Sequence, residues 1–134
     1  MSINYQHAPF QVRPDLVEAH NIAWSRIARP GTWFDGATRI AIAAESRNAL
    51  QCSLCRQRKG ALSPYTIQGR HDTLGVLPER LVDPIHRVVT DPGRLTRDWY
   101  EETLGAGITD AEYVELVGVT VTTVSIDAFC RGIG

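Results

Sequence analysis

Cysteine is scarce in this chain, with three residues among 134, and so odd and small a number excludes a disulfide framework. Charge of one sign is equally lacking. The formal net charge is −1, with acids and bases interspersed, which leaves no electrostatic footprint for nucleic acid or an anionic membrane surface. No run approaches the roughly 20 apolar residues that a bilayer span requires, so no membrane partner is expected. The opening MSINYQHAPFQVRPD lacks the basic and apolar regions of a signal peptide, and the expected address is cytoplasmic. There is no Gly-rich phosphate loop, which argues against a directly bound dinucleotide, and no motif indicates a metal or organic cofactor.

What is present fits one domain and one ordinary core. Residues 1–13 carry Pro9 and show no sustained periodicity, so they read as an arm ordered only against something else. From Pro14 the apolar positions Leu16, Ala19, Ala23 and Ile27 recur at helical spacing until Pro30-Gly31, predicting a helix near 14–28. Asp35 is an acceptable N-cap for TRIAIAAESRNALQCSLCRQRKGAL, which reads as one long helix across 36–62 ended by Ser63-Pro64. A loop follows over Tyr65–Gly75, then a helix from Pro78 that Pro84 must kink or divide. LTRDWYEETLGAG makes a further helix with Leu95, Trp99 and Leu104 facing inward. The last segment is rich in β-branched residues. Thr109 and Glu112 nevertheless form a T-x-x-E capping box, and Val114, Val117, Val121, Val124 and Ala128 keep a helical stripe, so helix is expected. This run reaches Gly134 with no polar tail, and a natural chain that continues further is expected. The fold class is therefore all-α, with an arm over 1–13 and a helical domain over 14–134.

Two of the cysteines lie in Cys52-Ser-Leu-Cys55. On a helix this spacing puts both thiols on one face, close enough for a reversible disulfide. A thiol reacts as its thiolate, which neighbouring cations favour, and Lys59 follows Cys55 by four residues on that face. Glu45 precedes Cys52 by two helical turns, so Glu45, Cys52, Cys55 and Lys59 can form one polar stripe. If burial raises its pKa toward neutrality, Glu45 can take the thiol proton as a general base. His71, in the loop, and His86, on the following helix, are each candidates for a proton relay over the dithiol. C-x-x-C is also half of a structural zinc site, and His71 and His86 can in principle supply the other two ligands. Their spacing fits no standard finger and a long helix is an unusual base for a zinc knuckle, so no metal is expected. His7 and His20 read as surface groups and Cys130 as a buried helical residue. Asp91 and Arg94 read as a pair without catalytic duty.

The segment TRIAIAAESRNALQCSLCRQRKGAL resembles the core helix pair of the alkylhydroperoxidase D and carboxymuconolactone decarboxylase superfamily, where an apolar helix leads into Cys-x-x-Cys. AGITDAEYVELVGVTVTTVSIDAFCRGIG resembles that family's later helices, so the similarity spans about residues 35–134. The resemblance implies a single-domain helical bundle that assembles into dimers, trimers or hexamers, and a dithiol that reduces peroxides and is re-reduced by a protein or small dithiol. Within it, Cys55 is the attacking thiol and Cys52 the resolving one. Lys59 stands where the family has its motif histidine, and Ile40 where a relay glutamate often follows the arginine. The expected function is a thiol-dependent oxidoreductase, a peroxidase or disulfide reductase. The alternatives are a non-catalytic oligomeric helical module, or a decarboxylase-like enzyme using Glu45 and His86 for proton transfer.

Overall fold

Six helices make up the computed structural model, which describes residues 2–134: α1 (Pro14–Ile27), α2 (Gly36–Ala49), α3 (Ser53–Gly60), α4 (Glu79–Thr90), α5 (Arg97–Gly105) and α6 (Asp110–Ile133). Two short 3-10 turns lie at Pro64–Thr66 and Pro92–Arg94, and there is no strand among the described residues. The all-α expectation holds.

Local signals set most of the boundaries. Asp35 accepts a hydrogen bond from the Thr38 N–H at 2.8 Å and so satisfies one of the free donors that open α2. Thr96 does the same for the Trp99 N–H at the start of α5. Thr109 and Glu112 form the reciprocal capping box at the head of α6, and that local satisfaction, with inward packing, overrides the strand propensity of the valine-rich run.

The core is the junction of α2, α4 and α6, where Ile42, Ala43, Leu81, Ile85, Leu116 and Val119 are buried together. The inner face of α6 is Leu116, Val119, Thr120, Thr123 and Ile126. The expected stripe is thereby corrected: Val114, Val121 and Ala128 are exposed, and Val117 and Val124 are only half-buried. Both faces of α6 carry β-branched residues at helical spacing, so the pattern alone does not say which one packs. The helix is also long and apolar enough, by length and composition, to cross a bilayer, which corrects the reading that no run approaches that length.

One further expectation changes. The single helix over 36–62 is two. α2 tightens at its end through i to i−3 bonds (Leu50 N–H to Arg47 C=O, Cys52 N–H to Ala49 C=O), Cys52 is extended at φ −71° and ψ 124°, and α3 then starts at Ser53. By contrast α4 is not divided. Pro84 lies inside it, lacking an N–H and freeing the Arg80 carbonyl, yet Leu81, Val82, Ile85 and His86 on both sides of it are buried, so packing holds the helix together.

The arm does become ordered, and against the chain itself. The Ile3 N–H donates to Asn21 Oδ1 at 2.6 Å, and Tyr5 Oη lies 2.6 Å from His20 Nδ1 and 3.7 Å from the sulfur of Cys130. His20 is thus engaged rather than free on the surface, and Cys130 is half-buried on α6. At the other end of the bundle, Gly36 opens α2 where a Cβ would fall 2.4 Å from the Ala28 carbonyl oxygen. Because that obstacle is backbone, Gly36→Ala is expected to destabilise by about 1–3 kcal/mol, read as a lowered chemical-denaturation midpoint with unchanged slope.

Candidate functional site

The break between α2 and α3 builds the site. Ending α2 at Ala49 and restarting at Ser53 makes Cys52 the N-cap of α3 and places Cys55 in its first turn. Both thiols then sit at the end of a helix whose unpaired N–H groups and dipole favour anionic sulfur. Asp72, from the loop after α3, fixes that helix start by accepting from the Ser53 N–H and hydroxyl, each at 2.8 Å. Arg94 fixes the other end, donating to the carbonyls of Ala61, Arg58 and Lys59, while pairing with Asp91 at 2.7 Å.

Both sulfurs are buried, at 2% and 3% exposure, and each faces an imidazole. Cys55 Sγ lies 3.3 Å from His86 Nδ1 and 3.5 Å from His71 Nδ1, and Cys52 Sγ lies 3.6 Å from His71 Nδ1. The far nitrogen of each ring meets a carboxylate. His86 Nε2 is 2.8 Å from Glu45 Oε1, and His71 Nε2 is 2.7 Å from Asp83 Oδ1. Those carboxylates are held in turn. Glu45, 1% exposed, accepts from Asn48 Nδ2 and the Leu74 N–H, while Asp83 accepts from Trp99 Nε1 at 2.8 Å and pairs with Arg58 and Arg87. With both carboxylates ionised, the two Nε2 atoms are donors and the two Nδ1 atoms turn toward sulfur. The Cys52, Cys55, His71 and His86 donor atoms all lie within 4.8 Å of one another.

Electrostatics divides the two histidines. Burial pushes His86 below its ordinary value, against the pull of Glu45. Burial also works against charge on His71, but the hydrogen bond to Asp83 and the contacts with the two thiols overcome it, and its pKa is pushed up to about 10. Asp83 is held far below the carboxylate range: burial would raise it, and His71, Trp99 and Arg87 outweigh that. Cys52 is lowered because the Cys55 backbone N–H, His71 and the Asp72 N–H more than offset its burial. Glu45 departs from expectation. Burial does raise it, but hydrogen bonds from His86, Asn48 and Leu74 prevail, and its pKa lies below the ordinary carboxylate value rather than near neutrality.

A pH dependence follows with a definite sign. Glu45, Asp83 and His86 all have depressed folded-state pKa values, so each contributes stability that is lost as pH falls. His71, raised, contributes fully below its unfolded value of about 6.5 and is flat over this range. Thermal stability should therefore begin to fall just below about pH 6.5, where His86 protonates on unfolding, and fall more steeply below about pH 4.3 as the carboxylates do. In Asp83→Asn the limb below pH 4 should be shallower; an unchanged limb would contradict the assignment to Asp83.

Of the expected site residues, the fold brings together Cys52, Cys55, Glu45, His71 and His86. It does not bring in Lys59, which is exposed on α3 and makes no hydrogen bond to either sulfur among the described residues. The continuous helix behind the Glu45–Cys52–Cys55–Lys59 stripe does not exist, and Glu45 reaches the thiols through His86 instead. The cation that does stand here is Arg58, 3.2 Å from Asp83 and 3.4 Å from His71 Nε2. Sequence reasoning missed Asp83, Asp72 and Trp99. A usable signal was Asp83 three residues before His86, which puts both on one face of α4. Beside the site a cleft of 560 Å³ is lined by Arg58, Tyr65, Asp83, Arg87 and Trp99 among others, so Arg58 and Asp83 stand between it and His71. No protein-family model matches the chain, and no curated protein or solved structure matches it either.

Proposed function

We propose that the protein is a thiol-dependent oxidoreductase of the alkylhydroperoxidase D-like type, cycling between the Cys52/Cys55 dithiol and its disulfide. The observation that carries this reading is the hydrogen-bonded series from Cys55 Sγ through His86 Nδ1 and Nε2 to Glu45 Oε1, with steps of 3.3 Å and 2.8 Å. It supplies a base for the thiol and an anchor that keeps the base in the correct tautomer. His86 accepts the Cys55 proton, and the thiolate attacks one oxygen of a peroxide, breaking the O–O bond and leaving sulfenic acid and an alcohol or water. Cys52 then attacks the sulfenic sulfur, releases water and closes the disulfide, and a dithiol reductant restores both thiols by exchange. His86 takes the part for which the family resemblance leaves Lys59 unsuited.

The test is a thiol count. Reduced, chelator-treated protein mixed with one equivalent of hydrogen peroxide should lose two thiols, and mass spectrometry should find Cys52 linked to Cys55. Both thiols surviving, or oxidation of a single cysteine without a disulfide, would refute the reading. A self-associating helical module is the second reading. Exposed Ile40, Trp33, Val114 and Val121 favour it, and sedimentation equilibrium tests it: a strictly monomeric chain removes it.

A further inference from the structure

We propose that Cys52, Cys55, His71 and His86 form a closed tetrahedral site for zinc(II). The geometry is that of a ligand shell. For zinc bound by thiolate at about 2.3 Å and imidazole at about 2.0–2.1 Å, tetrahedral angles put sulfur and nitrogen about 3.5 Å apart. Three of the four sulfur–nitrogen separations are 3.3, 3.5 and 3.6 Å, and all four donor atoms fall within 4.8 Å of one another. The surroundings are those of a zinc site too. Each imidazole turns Nδ1 inward and gives Nε2 to a buried or partly buried carboxylate, Glu45 or Asp83, the arrangement that fixes tautomer and ring orientation in histidine ligands. Those carboxylates are positioned by Asn48, Leu74 and Trp99, so the outer shell is built as well as the inner one.

Two thiolates and two imidazoles in a tetrahedron select zinc among common divalent ions; a hard cation such as magnesium prefers oxygen. The sequence objection was spacing, since 14 residues lie between His71 and His86 and no finger pattern fits. The fold removes it: the C-x-x-C pair comes from the head of α3, His71 from the covering loop and His86 from α4, so three separate segments converge. Four protein ligands leave no open position, and the ion would hold the loop onto two helices rather than polarise a substrate.

The inference stands whether or not the dithiol turns over. If it does, the two states exclude each other. Disulfide formation takes two electrons from the thiolates, passes them to the O–O bond, consumes two protons to give two waters from hydrogen peroxide, and releases the zinc ion.

The experiment is a cobalt(II) titration of reduced, chelator-stripped full-length protein under anaerobic conditions, with no oxidant present. One cobalt per chain should bind with thiolate-to-metal charge transfer and intense visible bands of tetrahedral coordination, protons should be released, and one equivalent of zinc should abolish the spectrum. Cys130→Ser should leave it unchanged, and Glu45→Gln and Asp83→Asn should weaken affinity about 10–100-fold while keeping the bands. Wild-type protein that gives only faint octahedral bands or no charge transfer overturns the site without recourse to any variant. So does a spectrum that survives Cys52→Ser/Cys55→Ser, or, where peroxide oxidises the stripped protein, zinc-loaded protein that oxidises as fast. Failure of the redox reading shows separately, as stripped protein that keeps its thiols in peroxide.

Discussion

Glu45→Ala is expected to cost about 3–5 kcal/mol of unfolding free energy, the magnitude seen when a buried side chain is truncated and its hydrogen-bond network broken. The carboxylate is 1% exposed and accepts from His86 Nε2, Asn48 Nδ2 and the Leu74 N–H. Alanine strands the buried His86 donor and leaves a cavity where α2 packs on α4. Domains of this size hold only about 5–15 kcal/mol in total, so the melting temperature should drop by about 10–18 °C. Glu45→Gln keeps the shape and one acceptor oxygen, and its cost should be smaller, about 1–2 kcal/mol. Differential scanning calorimetry decides the matter. An alanine variant within about 0.5 kcal/mol of the parent, the range of ordinary surface changes, would mean that Glu45 does not anchor His86 in solution.

His86→Gln should slow peroxide-driven disulfide formation by about 100- to 10,000-fold at pH 7, the usual range for loss of a positioned base. The signature is the pH profile. Without His86 the Cys55 thiol must lose its proton to solvent, so the variant rate should climb steeply as pH rises. The parent protein should depend on pH far less. Stopped-flow thiol consumption in chelator gives both curves. Parallel curves, or a variant as fast as the parent, would remove His86 from the proton path while leaving its structural role intact.

Helix content was readable because it rests on local chemistry: Asp35, Thr96 and Thr109 cap the helices that follow them, and each signal lies within four residues of its partner. What misled was geometry between distant segments. The segment rich in Ala, Leu and Arg continues through Cys52 with no proline or glycine, so no strong breaker announces the break; Asp72, 19 residues after Ser53, stabilises it by bonding Ser53. The inner face of α6 was equally hidden, since Val114 and Val119 are chemically alike and only the position of α2 and α4 distinguishes them. The site was half visible. Cysteine, histidine and glutamate stand out as residue types, and five of the six named residues do converge. Lys59 failed because its assignment assumed a helix continuous with Glu45. Trp99 was invisible for a different reason: a tryptophan on an amphipathic helix looks structural until its Nε1 is seen holding the carboxylate of Asp83, whose one signal was its place three residues before His86.

The segment from Ile67 to Pro78 contributes His71, Asp72 and Leu74 to the site and leaves Cys52 and Cys55 almost sealed from solvent. Its polar anchors are Asp72 on Ser53, His71 on Asp83, the Asn48 amide on the Asp72 carbonyl, Arg58 on the Ile67 carbonyl and the Leu74 N–H on Glu45. Reaction of either sulfur with a bulky reagent must therefore wait for this segment to lift, much as amide hydrogens wait for local opening. At high oxidant concentration the rate should stop rising and settle at one ceiling shared by peroxides and alkylating agents of different reactivity. That ceiling is the clock of the loop, and it makes the protein selective by size and patience rather than by recognition of any one reagent.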